Sequence, residues 1–215
     1  MSSTVSHNGP VMQLLASALQ LWLRQQCDEI DSLEIRLDGS ALALMKGRLA
    51  GVHVLARRVS YQRLEIELVD LCSEPIQVQM PQLLRGKGLQ LEHPFRIRGL
   101  VGFTAEGLSR SLAQPQWRLL GDAIGDALLG ISPLSELRVE ANQLILSALT
   151  AGEQGRMELA VDVRAVDGTV EFRSLEAVEE GVAVHRLPMD PNITIEKAAL
   201  EAGMLQLSGA ARVIP

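Results

Sequence analysis

The chain has 215 residues, 47% of them hydrophobic and 21% charged, and carries a formal net charge of −6. That apolar content fills a sizeable core and excludes a disordered chain. Twenty Lys and Arg against 26 Asp and Glu, with three Phe, two Trp and one Tyr, leave neither the basic excess nor the stacking surface of a nucleic-acid binder. Two cysteines exclude a disulfide scaffold and a four-thiolate metal site.

Residues 1–10 read as a flexible lead-in, and residues 11–215 as one domain, because no linker-like tract or fixed-period repeat divides them. Pro10 suits the first turn of a helix, where its missing N–H is no loss. Val11, Leu14, Leu15, Ala18, Leu19, Trp22 and Leu23 then recur at helical spacing, which predicts a buried stripe. The apolar run Val11–Leu23 falls well short of the roughly 20 residues that cross a bilayer. Arg24 follows that run instead of preceding it, so the expected location is cytoplasmic, at most peripheral to a membrane, and not secreted.

From Asp31 the apolar period becomes two. Leu33, Ile35 and Leu37 alternate with charges, and so do Leu64, Ile66 and Leu68. Ile76, Val78 and Met80 repeat the pattern, as do Phe95, Ile97, Gly99, Val101 and Phe103, and Met157, Leu159, Val161 and Val163. Strands apolar on one side belong to an antiparallel sheet with one wet face. Asp167-Gly168 predicts a tight hairpin between 157–166 and 169–175, and further strands are expected near 192–199 and 204–213. Short helices are expected over Ser40–Lys46 and Pro81–Arg85, and longer ones over 105–112 and 115–129, the last with Trp117, Leu120, Ile124 and Leu128 on one face. The expected fold class is α+β, and long helices laid against the apolar side of a curved antiparallel β-sheet would satisfy every stripe.

Few residues advertise chemistry. His7, His53, His93 and His185 show no metal-ligand spacing to one another or to Cys, so each is expected to be structural or exposed, and no metal is expected. Gly107-Leu108-Ser109-Arg110-Ser111 lacks the second glycine of a nucleophile elbow and lies in a helical pattern. Gly121, Gly125 and Gly130 match no phosphate-binding loop and read as close helix contacts or helix ends. Cys27 and Cys72 are expected as free thiols. Arg outnumbers Lys seventeen to three, and residues 36–118 hold twelve basic against seven acidic side chains. Guanidinium binds phosphate through a fork that ammonium cannot copy, so a polarised basic face would suit phospholipid headgroups.

Several strings carry a resemblance: Leu-Glu-Ile-Arg-Leu at 33–37, Gly-Ser-Ala-Leu-Ala-Leu at 39–44, Gly-Arg-Leu-Ala-Gly-Val at 47–52 and Ala-Arg-Arg-Val-Ser-Tyr-Gln at 56–62. They continue with Ser-Glu-Pro-Ile at 73–76, Leu-Leu-Arg-Gly-Lys at 83–87, Leu-Glu-His-Pro-Phe at 91–95 and Gly-Leu-Ser-Arg-Ser-Leu at 107–112. Together they resemble the LmeA-like phospholipid-binding family, long carried as a bacterial domain of unknown function, and within it the branch of photosynthetic bacteria without a signal peptide. The resemblance implies a tubular-lipid-binding type of fold, a curved antiparallel β-sheet wrapped around amphipathic helices, and a non-enzymatic role in lipid handling, with no catalytic residues and no cofactor to carry over.

The functional expectation is therefore a phospholipid-binding module at or near a bacterial membrane surface. Acyl chains would occupy an aliphatic groove, and the headgroup a basic rim made by Arg57, Arg58, Arg85, Lys87, Arg96 and Arg98. The rival expectation is a structural or protein-interaction domain with a filled core and no ligand. An enzyme ranks last, because no nucleophile, base and orienting group occur together.

Overall fold

The computed structural model describes residues 10–40, 42–43, 46–77, 92–150, 155–176 and 182–214. Helix α1 (Pro10–Gln26) precedes strands β1 (Glu29–Asp38), β2 (Arg48–Leu49), β3 (Gly51–Tyr61), β4 (Leu64–Ser73), β5 (Ile76–Gln77) and β6 (Phe95–Thr104). Two helices follow, α2 (Ala105–Leu112) and α3 (Arg118–Leu129). The remaining strands are β7 (Leu134–Glu140), β8 (Gln143–Leu149), β9 (Arg156–Val166), β10 (Thr169–Ser174), β11 (Val184–Arg186), β12 (Ile193–Glu201) and β13 (Met204–Val213). They form a six-stranded sheet ordered β1-β3-β4-β6-β13-β12, a five-stranded sheet ordered β11-β10-β9-β8-β7, and the small β2-β5 ribbon. Every pairing among these strands is antiparallel, and the fold is α+β with open sheets.

Four hairpins turn on two residues of positive φ: Gln62-Arg63, Ala141-Asn142, Asp167-Gly168 and Ala202-Gly203. Such turns match the twist of the strands they join. The first contains neither Gly nor Asn, and it is held from outside. Asp28 accepts the Arg63 N–H at 2.8 Å, and the Trp117 indole N–H donates to the Gln62 carbonyl at 2.8 Å. The β7–β8 hairpin has no counterpart among the sequence expectations, because Leu144, Ile145 and Leu146 run continuously and hide the period of two. Leu144 and Leu146 are fully buried on one face while Ile145 is half-buried on the other.

The first sheet has an inner and an outer face. Leu33, Ile35 and Leu37 of β1 lie in register with Ala56, Val54 and Val52 of β3, so the alternating apolar residues form continuous rows. Helix α1 covers one end of these rows: Met12, Leu15, Ala16, Leu19 and Leu23 pack with Ile35, Leu37, Leu49 and Ile76. The stripe is thus rotated from the expected one. Trp22 is 53% exposed and Ala18 is exposed as well. Met12, at 2% exposure, supplies the anchor instead, and the side chains of Val11 and Leu14 lie outside the described residues.

The other end of the inner face meets the second sheet. Phe103, Leu200 and Leu205 join Leu144, Leu146, Val161 and Val170, with Ile124 and Leu128 of α3, in one core. Helix α3 starts at Arg118, not at residue 115, because Pro115 and its neighbours form a turn in which Trp117 N–H donates to Gln114. A β-carbon at Gly125 would stand 2.7 Å from the Ile131 carbonyl oxygen, which explains this glycine as a close contact, and Gly130 ends the helix with φ 70°. In the expected 40–46 helix, residues 42–43 are helical and Ser40 Oγ accepts the Ala43 N–H at 3.1 Å. The expected turn at 81–85 and the Val78–Met80 part of a strand lie outside the described residues.

Candidate functional site

The inner face changes character along its strands. Its central rows are hydrocarbon: Val54, Leu71 and Gly99 align, as do Ala56, Val69 and Val101. Ile97 lies opposite Ala211 and Phe95 opposite Val213 on the same face. Val69, Leu71, Ile97, Ala211 and Val213 are only half-buried and belong to neither core cluster. Gly99 faces Gly209 across β6 and β13, and a β-carbon on either would stand about 2 Å from a neighbouring carbonyl oxygen. Backbones approach there more closely than any side chain permits.

Two residues further along these strands from the row Leu33–Ala56–Val69 stand Asp31, Arg58 and Glu67, where Arg58 leaves the regular strand with φ 47°. These three belong to a cleft of about 460 Å³, whose further walls include Glu29, Ser60, Arg63, Glu65, Thr104, and Arg110 and Gln114 from the α2 side. The Arg58 guanidinium donates to Asp31, and Arg110 donates to Glu65 and to Glu106. Hydrogen bonds from Arg110 hold the Glu65 carboxyl below the usual carboxylate range, and Asp31 pushes the Arg58 guanidinium up. Among the described residues, the side chains of Glu29, Arg63 and Glu67 make no ion pair.

The segment Gly107–Ser111 is explained by these neighbours. It lies in α2, capped by Thr104 Oγ1, which accepts the Gly107 N–H at 3.0 Å. Ser111 Oγ donates to the Gly107 carbonyl at 2.7 Å and accepts the Glu65 N–H at 2.9 Å. Ser109 Oγ donates to the Ala105 carbonyl and accepts the Leu137 N–H, each at 2.8 Å. Both serines stitch the helix to flanking strands.

Four of the six basic residues expected at one rim are among the described residues, and they do not gather at the cleft. Of these four, Arg58 alone lines it. Arg57 lies opposite Ser32 and Leu68 on the outer face, and Arg98 shares that face opposite Cys72, with Arg96 opposite Arg212. Arg57 is paired in both flanking ladders, whereas Arg58 has φ 47° and is paired in neither, so the sequence pair Arg57-Arg58 does not act as one patch. Arg85 and Lys87 lie outside the described residues. Glu29 and Glu67 carry no sequence signal of their own; that they come together beside Arg63 of the β3–β4 turn and Arg110 of α2 appears only with the register and the packing of the helix.

No helix among the described residues is long and apolar enough to cross a membrane. Neither a curated protein nor a solved structure gives a significant match. A family model does match, over residues 9–210 of the 215. On that match, covering nearly the whole length, the chain belongs to the LmeA-like phospholipid-binding family.

Proposed function

We propose that the protein is a non-enzymatic phospholipid-binding module, working on the cytoplasmic side at a membrane surface. Acyl chains lie along the half-buried hydrocarbon rows of the inner face, and the headgroup sits in the adjoining polar cleft. The observation that carries this reading is the change, two residues along the strands, from Leu33, Ala56 and Val69 to the cleft residues Asp31, Arg58 and Glu67. An amphiphile needs that juxtaposition, and an aliphatic floor suits saturated or unsaturated chains alike. Membership in a phospholipid-binding family supports the ligand class.

The charge of the cleft refines the headgroup. Four carboxylates and three guanidiniums line it, and two guanidiniums are already engaged by Asp31 and Glu65. A headgroup without net charge fits this balance better than an anion does, because its cationic or hydroxyl donors meet Glu29 and Glu67 while its phosphate meets Arg63.

Native mass spectrometry of protein purified from an ordinary expression strain tests the reading. The expected result is a co-purifying mass of phospholipid size that diminishes strongly in Val69→Trp and Leu71→Trp variants that stay folded by circular dichroism. Ligand-free protein, or an adduct indifferent to both substitutions, overturns it in favour of a scaffold domain with a filled interior.

A further inference from the structure

The outer face of the same sheet carries a second cluster, on the opposite side from the cleft. His53 of β3 stands directly opposite Cys72 of β4. Asp70, two residues from Cys72 on the same strand and face, is the diagonal neighbour of His53, and their Nε2 and Oδ1 atoms are 2.7 Å apart. One ligating atom from each of the three lies within 4.8 Å of the other two. All three strands of this region, β3, β4 and β6, are paired on both sides, so the backbone holds the ligands in place without a metal.

The donor set is an imidazole nitrogen, a carboxylate oxygen and a sulfur. Zn²⁺ accepts this mixture, and among oxygen-preferring ions the sulfur has no use. A thiolate and a carboxylate also offset the two positive charges of the ion. Two arginines flank the row, Arg36 opposite His53 and Arg98 opposite Cys72, and would repel a cation if left bare. Each has its own acid: Arg36 Nε donates to Glu34 at 2.9 Å, and an Arg98 nitrogen lies 4.0 Å from Glu196. The side chains of His53 and Asp70 are 25% and 48% exposed and Cys72 is exposed, so an ion reaches all three ligands from solvent without opening the fold.

We propose that His53, Asp70 and Cys72 form a three-ligand Zn²⁺ site on the outer face, with solvent at the fourth position. In the metal-free protein the His53–Asp70 hydrogen bond keeps two ligands in place, and it is exchanged for bonds to the ion on binding. The site is independent of what occupies the inner face.

The test is titration of the metal-stripped full chain with Co²⁺, followed by displacement with Zn²⁺. One Co²⁺ per chain should produce a thiolate-to-metal absorption band in the near ultraviolet, and Zn²⁺ should abolish it. Cys72→Ser should remove the band, His53→Ala and Asp70→Asn should each weaken Zn²⁺ binding by roughly tenfold or more, and Cys27→Ser should leave both readings unchanged. Circular dichroism shows that each variant is folded. No stoichiometric Co²⁺ band, a band that survives Cys72→Ser or vanishes with Cys27→Ser, or equal affinity in His53→Ala overturns the site.

Discussion

Arg110 on α2 clasps Glu65 on β4 through two parallel N–H···O bonds, Nε to Oε1 at 2.8 Å and Nη2 to Oε2 at 2.6 Å, across a separation of 45 residues. The pair ties the helix to the strand and forms one wall of the polar cleft. Both side chains are about half exposed, so solvent screens the attraction, while the forked geometry keeps it above the median surface pair. A double-mutant cycle with Arg110→Ala and Glu65→Gln in chemical denaturation should give a coupling of about 1 kcal/mol. A coupling near zero would reduce the pair to an idle surface contact.

Headgroup choice should respond to the unpaired carboxylates. Replacing both Glu29 and Glu67 by Gln removes two negative charges from the cleft without changing its shape. The ratio of anionic to net-neutral lipid bound after exchange from mixed vesicles, read by mass spectrometry, should rise several-fold. An unchanged ratio would remove the two carboxylates from headgroup selection.

The divided arginines give separable effects. Arg58→Glu places a negative charge beside Asp31 and Glu67 and should lower lipid occupancy. Arg96→Glu with Arg98→Glu changes only the outer face, where Arg96 already faces Arg212, and should lower salt-sensitive adsorption to anionic vesicles. Each basic residue near such a surface contributes on the order of 1 kcal/mol. Vesicle sedimentation at low and high salt, alongside lipid occupancy, distinguishes the two; identical responses from both variants would contradict the split.

Acid should destabilise the protein in two stages. The His185 ring is half-buried, its buried Nε2 has no hydrogen-bond partner among the described residues, and burial pushes its pKa down. Its neutral form is favoured in the folded state, and stability is lost as pH falls below the ordinary histidine value of about 6.5. Glu171 is held between Arg186 and Arg164, at 2.8 Å from each, and its carboxyl lies below the usual range, as does that of Glu65. Their contribution is complete above about pH 4.3 and disappears as pH falls through the lowered folded values. Melting temperature against pH should therefore decline first below about 6.5 and again below about 4.3. His185→Gln should flatten the first decline and leave the second; a first decline unaffected by that substitution would place its origin elsewhere.

Helix α1 should be indispensable. Removing residues 10–26 uncovers Ile35, Leu37, Leu49 and Ile76, each no more than 8% exposed in the intact fold. The truncated protein should aggregate, and Met12→Ala in the full chain should cost about 2–5 kcal/mol. A soluble truncation with an unchanged melting temperature would show that the helix is an appendage.

Local periodicity in the sequence was enough to determine most of the elements. A strand buried on one face must alternate, so β1, β4, β6 and β9 were legible, and Asp167-Gly168 announced its turn because few other pairs accept two positive φ values. The helix at 105–112 was legible from its spacing and matches α2 residue for residue. Where a residue's neighbours are distant in sequence, periodicity carries nothing. The rotation of α1 that buries Met12 and exposes Trp22 depends on the surface offered by β1, β2 and β5. Gln62-Arg63 forms a tight turn because Asp28 and Trp117 hold it. The arginine doublet at 57–58 reads as one basic patch in the sequence, yet Arg57 stays in the ladder while Arg58 leaves it with φ 47° to line the cleft. His53 and Cys72, nineteen residues apart, meet because the β3–β4 register sets them opposite each other. The sequence by itself determined which segments pair hydrocarbon with charge; the tertiary structure decided which of those charges share a side, because strand register, unlike strand period, is set by partners the local pattern cannot name.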